Sequence, residues 1–188
     1  EERVHRLIQA YRQRGHLFTK TNPVRTTIKY EEPPTIDAFD LGTEDLDQKF
    51  LAGESLGLKN ATLNKIINNL QKTYCHSIGV EYMYIREPKI VNWIQKQIEH
   101  NCNQPDFSKT GKLKILEKLA QGVLFEQFLA KKFIAQKRFS LEGVESLIPA
   151  LQALIDYSSD LGIEDVVMGM AHRGRLNVLA NILQKPYE

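Results

Sequence analysis

The residues best equipped for chemistry stand together near the end of the sequence: His172, Arg173 and Arg175, grouped around Gly174. An imidazole can donate, accept or move a proton near neutral pH. Two guanidiniums offer planar paired donors suited to carboxylate or phosphate oxygens. Before them, residues 166–170 form a short uncharged run with two β-branched residues, which predicts a buried strand. After them, Leu176, Val178, Leu179, Ala180, Ile182 and Leu183 predict a helix with a broad apolar face. The cationic turn would then stand where a strand hands over to a helix. Open α/β sheets bind ligands there, and a helix N-terminus attracts anions. Gly169 and Gly174 have the spacing of a P-loop, but Arg175 and Leu176 replace the lysine and hydroxyl residue that such a loop needs. Spacing alone leaves two readings open, an anion-binding corner and a solvated arginine-rich loop.

The elements that would hold this turn follow from periodicity. Val4, Leu7, Ile8 and Tyr11 predict a helix over residues 1–14, stopped at Gly15, with Arg12 and Arg14 as exposed charges in its last turn. Residues 19–42, with Pro23, Pro33 and Pro34, read as an extended surface loop, and Thr43 as the cap of a short helix to about residue 51. A second amphipathic helix covers residues 62–74. Residues 78–85, rich in β-branched and aromatic side chains, read as a strand or an extended crossing. Pro88 opens a helix that turns Ile90, Val91, Ile94 and Ile98 inward, with Trp93 at its flank.

The stretch around Pro105 is the best boundary, giving a helical region over residues 1–104 and a second region over 105–188. In the latter, residues 109–134 predict one long helix with Leu113, Leu116, Leu119, Val123, Leu124 and Phe128 on one face and most lysines elsewhere. Ser140 reads as the cap of a helix to about residue 158, bent at Pro149, with a break at Gly162.

Composition excludes several classes. The 25 basic and 23 acidic residues leave a net charge of +2, too balanced for nucleic-acid binding on electrostatics alone. No apolar run approaches the length of a bilayer span, so no membrane is expected. Cys75 and Cys102, each beside a histidine, lack the Cys–Cys spacing of a zinc site, so no metal is assigned to them.

The run Met168-Gly169-Met170-Ala171-His172-Arg173-Gly174-Arg175-Leu176-Asn177-Val178-Leu179-Ala180-Asn181 closely resembles the signature of the thiamine-dependent 2-oxoglutarate dehydrogenase component. Three more blocks match that family in the same order: Leu7-Ile8-Gln9-Ala10-Tyr11-Arg12-Gln13-Arg14-Gly15-His16-Leu17, Ile78-Gly79-Val80-Glu81-Tyr82-Met83-Tyr84-Ile85, and Lys137-Arg138-Phe139-Ser140-Leu141-Glu142-Gly143. Four collinear blocks make the resemblance specific. It implies an N-terminal fragment, mainly α, leading into the start of an α/β thiamine diphosphate-binding fold with a parallel sheet.

The implied activity is oxidative decarboxylation of 2-oxoglutarate with thiamine diphosphate and magnesium, the cofactor supplying an electron sink. The succinyl group passes to a lipoyl-bearing dihydrolipoyl succinyltransferase, within the tricarboxylic acid cycle. By resemblance, His172 matches the substrate-pocket histidine and Arg173 the arginine associated with thiamine diphosphate, while Arg175 braces the turn. Nothing matches the family's Gly-Asp pair and downstream Asn that bind magnesium. The magnesium ligands are therefore expected outside this fragment, which alone should be inactive. The family further implies a homodimer. Ala171, where mitochondrial relatives often carry proline, favours the bacterial cytoplasm over the mitochondrial matrix. The rival readings are a 2-oxoglutarate decarboxylase or carboligase, and a non-catalytic helical interaction module.

Overall fold

The computed structural model describes residues 1–22, 24 and 33–186. The chain divides into two compact units, Glu1–Pro105 and Asp106–Glu188. It is mainly helical. Among the described residues the strands are β1 (Lys49–Phe50) and β2 (Ala61–Thr62), an antiparallel pair with Lys49 opposite Thr62 and Phe50 opposite Ala61. No helix among them is long and apolar enough to cross a membrane.

In the first unit, α1 (Glu2–Arg14) buries Val4, Leu7, Ile8 and Tyr11, as their spacing requires. Helix α2 (Leu63–Tyr74) is capped by Thr62, whose Oγ1 accepts the Lys65 N–H at 3.3 Å, and it buries Leu63, Ile66, Leu70 and Tyr74. Gly15 does not end α1 by a left-handed turn; its φ of −57° continues into a tight 3-10 turn, Gly15–Phe18. Its role is close approach, because a Cβ there would stand 2.5 Å from the Tyr74 Cβ.

Arg12 departs most from expectation. Predicted as an exposed helix-end charge, it is 7% exposed. Its Nε and Nη2 donate to the two Glu99 carboxylate oxygens at 2.8 and 2.9 Å, and Nη2 also donates to the Ser55 carbonyl at 3.3 Å. Tyr74 donates its hydroxyl to Glu99 Oε1 at 2.5 Å and meets the Tyr82 hydroxyl at 3.1 Å. Burial is tolerated because Glu99, on α3 (Pro88–His100), supplies a paired counter-charge.

The short helix expected from Thr43 is replaced by a 3-10 turn at Thr43–Asp45, then β1, then a 3-10 stretch at Leu51–Leu56. Pairing with β2 holds residues 49–50 extended, and Gly53 and Gly57 weaken any helix that would follow. Of the loop expected over residues 19–42, residues 23 and 25–32 lie outside the described residues. Its far end forms a 3-10 turn at Asp37–Phe39 and buries Phe39 and Leu41 rather than lying wholly on the surface. Residues 78–85 form no strand; they run without regular structure into a turn in which the Ile85 N–H donates to the Tyr82 carbonyl at 3.0 Å, and they bury Tyr82, with Val80, Met83 and Ile85 packed on the core. On α3, Val91, Ile94 and Ile98 face that core, while Ile90 and Trp93 remain exposed.

The second unit contains α4 (Lys109–Lys132), α5 (Leu147–Asp160) and α6 (Arg175–Asn181). Ser108 caps α4, its Oγ accepting the Gly111 N–H at 3.1 Å. The core comprises Leu141, Ile148 and Val178, with Leu147, Leu151, Met168 and Ile182 partly buried around it. The strand expected over residues 166–170 is absent, and Val167 is 99% exposed. A strand is held by hydrogen bonds to a neighbour, and the described residues of this unit contain no second strand to supply them. The anticipated inward face of α4 also differs: Leu113, Leu116, Leu124 and Phe128 are more than half exposed. The side that packs passes through Gly122, against Ile148 and Asn177. Pro149 is the third residue of α5, in the first turn where its missing N–H needs no partner, so it causes no mid-helix bend. Ser140 is not that helix's cap; its Oγ accepts the Glu142 N–H at 3.1 Å.

Candidate functional site

Two separated segments of the second unit build the cationic turn. Gly174 has φ +72° and precedes α6 directly. A side chain there would be strained and would overlap Leu141, so only glycine lets the turn close on that buried leucine. The Gly174 N–H donates to the Phe139 carbonyl at 2.6 Å. The Phe139 ring meets the His172 imidazole with centroids 5.2 Å apart and planes inclined by 37°. The Arg175 guanidinium lies 4.4 Å from the centre of the same ring, in cation–π range. Arg173 Nη2 donates to the Glu142 carbonyl. The 137–143 segment therefore contacts each side chain of the turn that could handle an anion.

Beneath the turn lies a polar cross-link. Asn177 is fully buried, and its Nδ2 donates to the Gly122 carbonyl at 2.9 Å and to Glu126 Oε1 at 3.2 Å. The same Glu126 oxygen accepts the Leu141 N–H at 3.1 Å. One carboxylate on α4 thus ties the 137–143 segment to α6. A cavity of about 200 Å³ opens beside it, lined in part by Glu126, Arg138, Ser140 and Glu142. The Gly143 N–H donates to Glu145 Oε1 at 2.9 Å; that bond, aided by the Arg173 charge, holds the Glu145 carboxyl below its ordinary range. Another cavity, of about 490 Å³, has mixed charges and lies at α4 and α5; none of His172, Arg173 and Arg175 lines it.

His172, Arg173 and Arg175 are all exposed, so the turn presents its cations to solvent. The expected contribution of a helix N-terminus is reduced at its first two N–H groups. Helix α6 is seven residues long, and the Gly174 and Arg175 N–H groups are already donated to the carbonyls of Phe139 and His172. The exposed side-chain set offers an anion its other donors. These donors suit a diphosphate or carboxylate and do not suit magnesium, which takes oxygen ligands. Among the described residues no group of three or more His, Cys, Asp and Glu is arranged to hold a metal ion. Cys75 and Cys102 are free thiols; burial pushes the Cys75 thiol up to about 11, and Cys102 Sγ accepts from Asn69 at 3.2 Å.

Sequence reasoning named His172 and Arg173 but missed Phe139, Glu126 and Asn177. Asn177 carried a readable signal, since it recurs four residues later as Asn181 on an otherwise apolar helix, and Asn181 Nδ2 donates to Asn177 Oδ1 at 2.6 Å. Glu126, set within the apolar run Leu124-Phe125-Glu126-Gln127-Phe128, carried a weaker one.

No protein-family model matches the chain. Among curated proteins it is 40% identical, over 96% of its length, to proteins named 2-oxoglutarate dehydrogenase E1 component from Brucella ovis and Brucella canis. It is 43% identical, over 98% of its length, to the multifunctional 2-oxoglutarate metabolism enzyme of Mycolicibacterium vanbaalenii. The chain spans 18% of the Brucella proteins and 15% of the mycobacterial one. Identity at that level runs through almost the whole sequence, so the chain is similar over nearly all its length to proteins named 2-oxoglutarate dehydrogenase E1 component, of which it matches less than a fifth of the length.

Proposed function

We propose that the protein to which this chain contributes oxidatively decarboxylates 2-oxoglutarate and passes the succinyl group to a lipoyl-bearing dihydrolipoyl succinyltransferase. Residues 105–188 would then open its thiamine diphosphate-binding domain, and the run at 164–171, which lies in no strand here, would join a parallel sheet completed by other parts of the protein. The observation that carries this reading is the joining of two of the family-like blocks, 137–143 and 168–181, into one cationic turn.

Thiamine diphosphate, when bound, supplies the electron sink for decarboxylation. The chain's own residues have simpler tasks. Arg173, anchored by the Glu142 carbonyl, offers guanidinium N–H donors to the cofactor's diphosphate. His172, exposed and braced by Phe139, donates a hydrogen bond to a substrate oxygen and orients the dicarboxylate. Substrate positioning ranks above proton transfer for His172. Magnesium would be held by residues outside this fragment. A homodimer and the bacterial cytoplasm complete the proposal, and the isolated 188-residue piece would be inactive.

The test is His172→Ala in the full-length protein, assayed for lipoyl-dependent turnover. A loss of about 100-fold with the fold retained is expected, the lower range for a group acting directly at the reacting centre. Unchanged turnover would mean that the turn is only structural. For Arg173→Met the loss should appear chiefly as a higher requirement for thiamine diphosphate.

A further inference from the structure

Phe139 connects the two halves of the site through ring and backbone together. Its φ is +51°, the left-handed region that a bulky aromatic residue rarely occupies. Such a conformation persists only where the surroundings fix it. Here its carbonyl receives the Gly174 N–H, while its ring meets the imidazole of His172 and the guanidinium of Arg175. His172 is exposed, so without a brace its imidazole would sample several rotamers.

We propose that Phe139 is a positioning residue, which fixes the His172 imidazole and the Arg175 guanidinium in the arrangement that receives the substrate. The inference rests on the function proposed above. It adds that the aromatic ring of the 137–143 segment, and not the 172–175 turn alone, sets the direction of the imidazole. A misdirected group loses rate far more readily than it loses fold stability. Arg173, held by the Glu142 carbonyl instead of the ring, should keep its place when Phe139 is changed.

The test uses the full-length protein with Phe139→Leu, Phe139→Tyr, His172→Asn and the double variant Phe139→Leu/His172→Asn. Phe139→Leu should lower kcat by about 10- to 100-fold, with the requirement for thiamine diphosphate unchanged. Phe139→Tyr, which keeps the ring, should restore kcat to within a few-fold. In the His172→Asn background, Phe139→Leu should add little, because the group it orients is already gone. If Phe139→Leu does not fold, Phe139→Met, close in volume, takes its place in the series.

Normal kcat in Phe139→Leu beside an impaired His172→Asn would overturn the positioning role and leave the function intact. A full additional loss in the double variant would also overturn it. Normal turnover in His172→Asn would instead fail the functional reading itself.

Discussion

In residues 1–105, α1, α2 and α3 close over Leu7, Ile8, Ile66, Leu70 and Tyr82, and even the charged pair Arg12–Glu99 is buried. In residues 106–186, α4, α5 and α6 meet at Leu141, Ile148 and Val178, while Leu116, Leu124 and Val167 stay more than half exposed. Apolar burial is thus unevenly distributed along the chain, and polar contacts play different parts in the two units. In the first, a buried charge network sits within a core whose shape is already set by apolar packing. In the second, Asn177 and Glu126 cross-link thinly packed elements and thereby set the geometry of the turn. The candidate site stands on the unit with less apolar support. Loops and sites are commonly drawn from the less stable parts of a fold.

The sharpest way to break this comparison is to remove one partner of the Arg12–Glu99 pair. Glu99→Ala leaves a buried guanidinium uncompensated, and the cost should be about 3–5 kcal/mol. Urea denaturation of the first unit reads it. The double replacement Arg12→Met/Glu99→Leu should recover part of that loss, since it removes the uncompensated guanidinium but takes from the Tyr74 hydroxyl its carboxylate acceptor. A double variant as unstable as Glu99→Ala would mean that the network, and not the apolar core, shapes this unit.

A matched pair of leucines sharpens the contrast further. Leu70, fully buried on α2, should cost about 2–5 kcal/mol when cut to alanine, by lost transfer energy and the cavity left behind. Leu116, 61% exposed on α4, should cost within about 0.5 kcal/mol in the 188-residue chain. Thermal unfolding of both variants decides; equal losses would show that the α4 face is covered in solution.

Gly174→Ala comes next. Its φ of +72° and the overlap with Leu141 should together cost about 1–3 kcal/mol. Hydrogen exchange should then quicken at residues 172–178 while α1 and α2 keep their protection.

The legible parts of this chain were the local ones. Val4, Leu7, Ile8 and Tyr11, or Leu63, Ile66 and Leu70, declare a helix and its inward face because neighbours three and four apart share a side. What failed depended on distant partners. Arg12 looked like a surface charge because its carboxylate lies 87 residues away. Residues 166–170 have the composition of a strand, but composition cannot supply the neighbour that a strand pairs with. The apolar stripe of α4 was readable as a stripe, whereas its exposure depends on which side Gly122 lets approach. At the site, the reactive residue types His172 and Arg173 were legible. Their brace was not, since nothing in the spacing joins Phe139 to a turn more than thirty residues on.

A further expected effect lies at high pH, where it again separates the two units. The Tyr74 hydroxyl is buried and donates to Glu99, so burial first, and then the neighbouring carboxylate, raise its pKa above the ordinary tyrosine value. A group whose folded-state pKa is raised contributes stability that is intact below its unfolded pKa of about 10 and declines above it. The first unit should therefore lose up to about 1.4 kcal/mol per pH unit for this one group as pH climbs past about 10. Burial also pushes up Tyr11, Tyr82 and Cys75, so some alkaline loss persists without Tyr74. Tyr74→Phe should cost about 1 kcal/mol at neutral pH through the lost hydrogen bond, yet show a shallower decline above about pH 10. Urea midpoints at several pH values, compared with wild type, measure both. Parallel curves for the two proteins would mean that Tyr74 ionises in the fold as freely as it does unfolded, and that the network around Glu99 is wetter than its packing indicates.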